Sequence, residues 1–221
     1  MKKTVIYGSG GLGREMLEIV MDINKVTPRW EIMGFIDDGV RKGELVNGIR
    51  VLGGIEYLSK YQENIAIIFG IADTSVKTKL YNEIKNFGKN FDFPIIIHNT
   101  AYVSSSVCIQ EGVVIGRFCF VSIDTRLGKC VFLNTRCDIG HDSQIGDFSS
   151  LMPSVNVSGN VTVGEKTLIG VQSAILQGVK IGSGVTVGMG SKVMADVPDN
   201  CTVMGYPARI IAKHEPKENR H

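Results

Sequence analysis

The chain has 221 residues, 43% of them hydrophobic and 21% charged, with a formal net charge of +2. That composition belongs to an ordinary soluble globular protein, and charge so near balance provides no surface for nucleic acid or for insertion into a membrane. Five cysteines without a CxxC pair, glycines that break the apolar stretch after Met1-Lys2-Lys3, and no run of the ~18 apolar residues a membrane span requires lead to the expectation of a cytoplasmic protein with reduced thiols.

The first part of the chain, residues 1–97, reads as alternating strand and helix. A short apolar strand is predicted over 4–7, a glycine-rich turn over 8–13 and a helix over 14–23, where Met16, Leu17, Ile19, Val20 and Ile23 recur at near-helical spacing. A second strand over 31–36 ends at Asp37 and Asp38. A third over 65–69 is followed by a turn at Gly70 and a helix from about 74 to 87, and 94–97 closes this part. The alternation predicts a small parallel α/β sheet, half of a Rossmann-like unit.

The turn Gly8-Ser9-Gly10-Gly11-Leu12-Gly13 fits G-x-G-x-x-G between a strand and a helix, with Asp37 and Asp38 where a ribose-binding acid would stand. Residues 1–97 are too few for the two mononucleotide units of a dinucleotide fold. A single nucleotide, such as the diphosphate part of a sugar nucleotide, therefore fits better than NAD. The other reading of the same loop is a glycine-rich turn that only packs.

From residue 98 the pattern changes. Every sixth residue from Val103, through Ile109, Ile115, Val121, Leu127 and Leu133 to Val193, is a branched aliphatic, without a slip in phase. Every sixth residue from Val107 to Ser191 is small or β-branched. A fixed six-residue period predicts a parallel β-helix, in which three short strands make a triangular coil of about eighteen residues and the segment holds about five coils. The aliphatics point to the axis and stack on the coil below. Glycine follows the aliphatic at Gly116, Gly128, Gly140, Gly146, Gly164, Gly170, Gly182 and Gly188, which is read as tolerance of positive φ at the turns. The β-helix is expected over 98–211, and 212–221, a charged tail with His214 and His221, is expected to be disordered.

His98 lies at the junction of the two parts, where it reads as structural or catalytic. His141 alone falls within the coils, two residues after inward Ile139, so it occupies an outward corner. It reads as a general base or as a solvated turn residue. Asp142 follows it, and a carboxylate beside a histidine orients the imidazole and raises its basicity. One coil further on stands Gly159, whose backbone N–H could stabilise the oxyanion of an attacked thioester. Zinc catalysis requires about three ligands. The coils hold one histidine, with Cys119 and Cys137 in the inward small register, so no metal is expected.

The loop Tyr7-Gly-Ser-Gly-Gly-Leu-Gly-Arg-Glu15, the segment Phe35-Ile-Asp-Asp38, the segment Asn134-Thr-Arg-Cys-Asp-Ile-Gly-His-Asp142 and the ending Gly205-Tyr-Pro-Ala-Arg209 together resemble the bacterial hexapeptide-repeat sugar acetyltransferases. That group includes the sialic acid O-acetyltransferases and the N-acetyltransferases of UDP-4-amino sugars, and the resemblance runs from about residue 3 to 211. It implies a left-handed β-helix and a homotrimer with acetyl-CoA between adjacent helices. It also implies His141 as base, Asp142 as helper acid and the Gly159 amide near the acetyl group. Contacts to acetyl-CoA fall on Ser150, Gly159, Val171 and Met189. Contacts to the nucleotide part of the acceptor fall on Gly10, Gly11, Leu12, Asp37, Asp38 and Gly70.

Two positions depart from the family pattern, Leu12 and Ser150, where histidines are usual. The activity expected is acetyl transfer to an amino or hydroxyl group of a nucleotide-linked sugar in surface-glycan biosynthesis. O-acetylation of free sialic acid is the rival among enzymes, and a non-catalytic nucleotide-binding trimeric scaffold the rival of another class.

Overall fold

The computed structural model describes residues 1–61, 63–89 and 91–215. The chain forms two compact units, Met1–Asn99 and a second that begins at Thr100. Among the described residues no helix is long and apolar enough to cross a membrane.

The first unit runs β1 (Lys2–Tyr7), α1 (Gly11–Val26), β2 (Trp30–Ile36), β3 (Leu45–Val46), β4 (Ile49–Gly53), α2 (Ile55–Lys60), β5 (Ala66–Phe69) and α3 (Thr74–Asn86). Its sheet has the order β3-β4-β2-β1-β5. All pairs are parallel except β3 with β4. Val5, Ile6 and Tyr7 of β1 and Ala66–Phe69 of β5 are buried without alternation, as befits strands covered on both faces. Helix α1 buries Met16, Leu17, Ile19, Val20 and Ile23, the stripe that its sequence spacing predicts.

Two elements escaped the sequence reading. One is α2. The other is the β3–β4 hairpin, turned by Asn47 (φ 49°) and Gly48 (φ 76°), two successive left-handed residues of the kind a tight hairpin turn requires.

The sheet grows outward from β1 in two directions. β2 lies on one side, and the chain later returns to place β5 on the other. The carboxyl ends of β1 and β5 therefore border a topological switch point, where open α/β sheets leave a crevice. The backbone there is tightly drawn: Gly8 N–H donates to Ile36 O (2.7 Å) and Gly70 N–H to Tyr7 O (2.8 Å). A Cβ on Gly70 would lie 2.5 Å from Gly13 Cα, so glycine is needed at both positions for the helix and strands to approach.

In the second unit, two-residue rungs repeat with a pairing offset of eighteen. Phe120 pairs with Asp138, Asp138 with Asn156 and Asn156 with Ala174, and the other two faces behave alike. The axial aliphatics from Ile115 to Val193 are buried, while Val103 and Ile109 in the first coil are partly exposed. The small register is buried from Val113 to Ser191. Its hydroxyls tie coils together: Ser143 Oγ donates to Ser158 O (3.0 Å) and accepts from Val161 N–H (3.2 Å), and Ser149 and Thr167 repeat the pattern. Cys119 and Cys137 are buried in the same register, their thiols donating to Asn134 O and Met152 O.

The turn glycines need a different explanation from positive φ. The left-handed positions recur every six residues at Phe118, Asp124, Cys130, Arg136, Asp142, Phe148, Ser154, Asn160, Lys166 and Gln172, mostly without glycine. The glycines that follow the aliphatics lie two residues earlier, where adjacent coils nearly touch. A Cβ on Gly140 would lie 2.5 Å from Gly159 N, and one on Gly164 2.5 Å from Ser183 N. Close approach of backbones selects glycine at this register.

At the end of the coils, Cys201–Gly205 pairs parallel with the rung Thr186–Val187 and antiparallel with Ala208–Lys213. The order extends beyond the expected boundary at 211. His214 N–H donates to Asn200 O (2.7 Å), and its Nε2 lies 2.8 Å from Thr202 Oγ1. The rest of the expected tail, 216–221 with His221, lies outside the described residues.

Ile169 is fully buried on the axis. Ile169→Asp is expected to abolish the folded state, because an unpaired charge there costs at least several kcal/mol. Circular dichroism and solubility check this, and a soluble folded variant would overturn the register.

Candidate active site

His141 and Asp142 form the turn between the rungs Asp138–Ile139 and Gln144–Ile145. Asp142 occupies the left-handed position (φ 58°), which aspartate adopts more readily than most residues. The turn is fixed from both sides, since Asp142 N–H donates to Ile123 O (3.1 Å) and Asn160 N–H donates to His141 O (2.8 Å). Across it, Asp142 Oδ2 lies 2.7 Å from His141 Nδ1. An ionised carboxylate only accepts, so Nδ1 carries the proton and Nε2 presents its lone pair. The side chains are 49% and 51% exposed, so the dyad is open to an approaching group.

The imidazole lies against Gly159 of the next coil. A Cβ on Gly159 would come to 2.5 Å from Nε2 and 2.7 Å from Cε1. Glycine here makes room for the ring. Gly159 is itself held by Gly178 N–H donating to its carbonyl (3.1 Å), and among the described residues no hydrogen bond uses its own N–H. A lone-pair nitrogen thus stands beside a free backbone donor.

The remaining coil residues from the sequence reading are not brought to this corner. Val171 and Met189 lie on the turn column between the faces containing Leu168–Ile169 and Ala174–Ile175, whereas His141 and Gly159 lie on the column between Asp138–Ile139 and Gln144–Ile145. Met189 is 71% exposed, whereas Ser150, in a rung between Phe132 and Leu168, is fully buried. His98 is buried in the first unit, with Nε2 3.4 Å from Asp22 Oδ2 of α1. Among the described residues no three His, Cys, Asp or Glu side chains gather as metal ligands would.

The first unit has a cleft of about 800 Å³ at its switch point. Gly10, Asp37, Asp38 and Gly70 line it, as do Tyr7, Ile71 and one face of α3. Gly11 and Leu12 do not line it, although a Cβ on Gly10 or Gly11 would meet nothing within 4 Å. The α3 residues Val76, Lys79, Leu80 and Glu83 were missed by the sequence reading. Their i, i+3, i+4, i+7 spacing marks one helix face, but only the topology shows that this face meets the glycine loop.

Both aspartates hold the cleft's rim. Asp37 Oδ2 accepts from Ser9 N–H (2.8 Å) and Ser9 Oγ (2.7 Å), and Oδ1 from Gly39 N–H (2.9 Å). Burial opposes ionisation of Asp37, yet these hydrogen bonds prevail and keep its carboxyl below the usual range. Asp38 accepts from Tyr7 OH (2.6 Å) and Ile55 N–H (2.8 Å). Burial, then the Asp38 carboxylate, raise the Tyr7 phenol well above its ordinary value, so it remains a donor.

The model of the PglD N-terminal domain matches residues 3–84. A GDP-perosamine N-acetyltransferase of Escherichia coli O157:H7 is 33% identical over 165 residues, covering 72% of this chain and 71% of the relative. The chain belongs to the bacterial hexapeptide-repeat sugar acetyltransferases. Solved structures agree with this membership. The acetyltransferase domain of PglB from Neisseria gonorrhoeae FA1090 superposes with a TM-score of 0.86 at 29% identity, covering 96% of this chain and 100% of that one. PerB from Caulobacter crescentus, in complex with CoA and GDP-perosamine, gives a TM-score of 0.85 at 28% identity, covering 96% and 98%. The PglB domain has also been solved in complex with acetyl coenzyme A. As in other members of this group of acetyltransferases, the α/β unit precedes the β-helix, and acetyl-CoA is the co-substrate.

Gly159→Ala is expected to fold, since its neighbour's ring can swing outward, but to displace that ring. A catalytic group misplaced by about 1 Å costs on the order of 10²-fold. Turnover should fall by about 10–100-fold with an unchanged far-UV spectrum; wild-type turnover would show that the ring's seat on Gly159 is immaterial.

Proposed function

We propose that this acetyltransferase transfers the acetyl group of acetyl-CoA to the amine of a nucleotide-linked amino sugar. The observation that carries the reading is the His141 imidazole, held at Nδ1 by Asp142 and open at Nε2, beside the free N–H of Gly159. The neutral amine attacks the thioester carbonyl, and the C–N bond forms as the C–S bond breaks. The nitrogen's surplus proton passes to His141 Nε2, and the departing CoA thiolate takes up a proton to leave as the thiol. The Gly159 N–H meets the negative charge that develops on the carbonyl oxygen. A non-catalytic scaffold gives no reason for so specific an arrangement of dyad and glycine.

The nucleotide part is assigned to the cleft of the first unit, with its phosphates near Gly10, which lines it just before α1. There α1 begins without a side-chain cap and its first N–H groups are available to an anion. The relatives support the substrate class, since PerB was solved with CoA and GDP-perosamine and the E. coli relative acts on GDP-perosamine by name. The sugar product serves surface-glycan assembly.

The working form is assigned as a homotrimer. Within one chain His141 and Gly159 stand on one corner and Val171 and Met189 on another. Acetyl-CoA reaches both sets when a second copy brings its other corner alongside, and three copies close such a contact into a ring. Light scattering is expected to give about three times the 24.1 kDa chain mass, and an active monomer would overturn the shared site.

His141→Ala is expected to lower kcat by about 10²–10⁴-fold, the range for loss of a general base, with KM for acetyl-CoA nearly unchanged. Asp142→Asn should cost less, because the imidazole remains and only its orientation and basicity suffer. Thiol release measured with GDP- and UDP-linked amino sugars tests both variants, and near wild-type kcat in His141→Ala would remove the base from the mechanism.

A further inference from the structure

The charge around the cleft is the reverse of what a nucleoside diphosphate would be expected to attract. Asp37, Asp38, Asp73 and Glu83 line it, against Lys79. Three of the four carboxylates have structural partners. Asp37 holds Ser9 and Gly39, Asp38 holds Tyr7 and Ile55, and Asp73 caps α3 by accepting from Ser75 N–H and Val76 N–H (2.9 Å each). Glu83 differs. Among the described residues its side chain forms no hydrogen bond or ion pair, and neither does that of Lys79 one helical turn before it. Glu83 lines the cleft together with Tyr7, the last residue of β1, and its charge acts on the phenol. Beside it, Val76, Leu80 and Ile71 supply an apolar wall against which a flat ring can lie.

We infer that Glu83 reads the base of the acceptor nucleotide and selects guanine. The inference rests on the reading that this cleft takes the nucleotide. A carboxylate has only acceptors to offer. Guanine presents N1–H and the exocyclic N2–H side by side, and the two oxygens of one carboxylate accept both in a paired, charge-assisted contact. Uracil presents a single N–H between two carbonyl oxygens, and those oxygens would face Glu83 with like partial charge. Adenine offers its amine beside an unprotonated ring nitrogen, with the same conflict. The phosphates are assigned to the start of α1, where the Asp37 carboxylate is already committed to Ser9, so one cleft accommodates a dianion at one end and a donor-rich edge at the other. Within it, a lone unpaired carboxylate is better suited to discrimination than to attraction.

The test is calorimetry on the full-length protein with GDP, IDP and UDP, in the wild type and in Glu83→Gln. Glu83 is partly exposed on a helix face and glutamine has the same shape, so the variant should keep its thermal midpoint. For the wild type, GDP should bind at least about tenfold more tightly than UDP. IDP, which keeps N1–H and lacks the exocyclic amine, should fall between them, each hydrogen bond to a charged acceptor being worth about a factor of ten. In Glu83→Gln the preference should collapse: GDP and IDP should weaken, and UDP should hold or tighten, because the amide removes the like charge that opposed its carbonyl oxygens. A structural role for Glu83 would weaken all three alike and would overturn the inference, as would a wild type that binds UDP as tightly as GDP. If no nucleotide binds while acetyl transfer to a free amino sugar proceeds, the assignment of the cleft itself fails, and this inference with it.

Discussion

A parallel coil that closes every eighteen residues leaves no freedom in what stands above what. Strand pairing sets adjacent coils about 4.8 Å apart. The axial aliphatics prevent a slip of one residue, since it would turn every side chain to the wrong face. The site follows from that constraint. Residue 159 stands over residue 141 because the offset is eighteen, and the imidazole fits because residue 159 is glycine. The same stacking supplies the bonds that hold the turn, from Asp142 down to Ile123 and from Asn160 down to His141. Neither side chain of the His141–Asp142 dyad depends on a long loop for its place.

The α/β unit obeys a different constraint. Its cleft exists because the sheet extends both ways from β1, and its walls approach because Gly8, Gly13 and Gly70 carry no Cβ. The aspartates at the end of β2 are spent on keeping that crevice in shape, Asp37 through Ser9 and Asp38 through Tyr7. A role for them toward a nucleotide is therefore one of framing the cleft more than of supplying unclaimed acceptors. Two units with separate grammars thus present one cleft and one corner, the first shaped by glycine close approach at strand ends, the second by glycine close approach between coils.

How much of this could be read from the sequence depended on whether the signal was periodic. The β-helix register, the outward corner of His141 and the inward place of Cys119 and Cys137 follow from counting in sixes, and the structure places them so. The α1 stripe was equally clear. The corner glycines were visible but misexplained, because sequence shows that a residue is glycine without showing whether its torsion or its missing Cβ is the reason. The β3–β4 hairpin was missed although Asn47-Gly48 announces it, since its strands are short and β3 has only two residues. The α3 wall of the cleft was hidden for another reason: its residues lie far along the chain from the glycine loop, and only the crossover that brings β5 beside β1 joins them. The separation of His141 from Val171 and Met189 follows from the count in sixes, since they lie 30 and 48 residues apart and neither is a whole number of eighteen-residue coils.

The coils touch only their neighbours, so the β-helix behaves as a one-dimensional cooperative chain whose ends loosen before its middle. Val103 and Ile109, partly exposed in the first coil, are where such loosening begins on one side, and the Cys201–Gly205 hairpin covers the other. His141 lies between these ends, with a bonded coil beneath it and further coils above. Thermal fraying must pass through complete coils before it reaches the dyad. Insertion or loss of a whole eighteen-residue period near either end would change the length of the rod without altering the dyad at its centre.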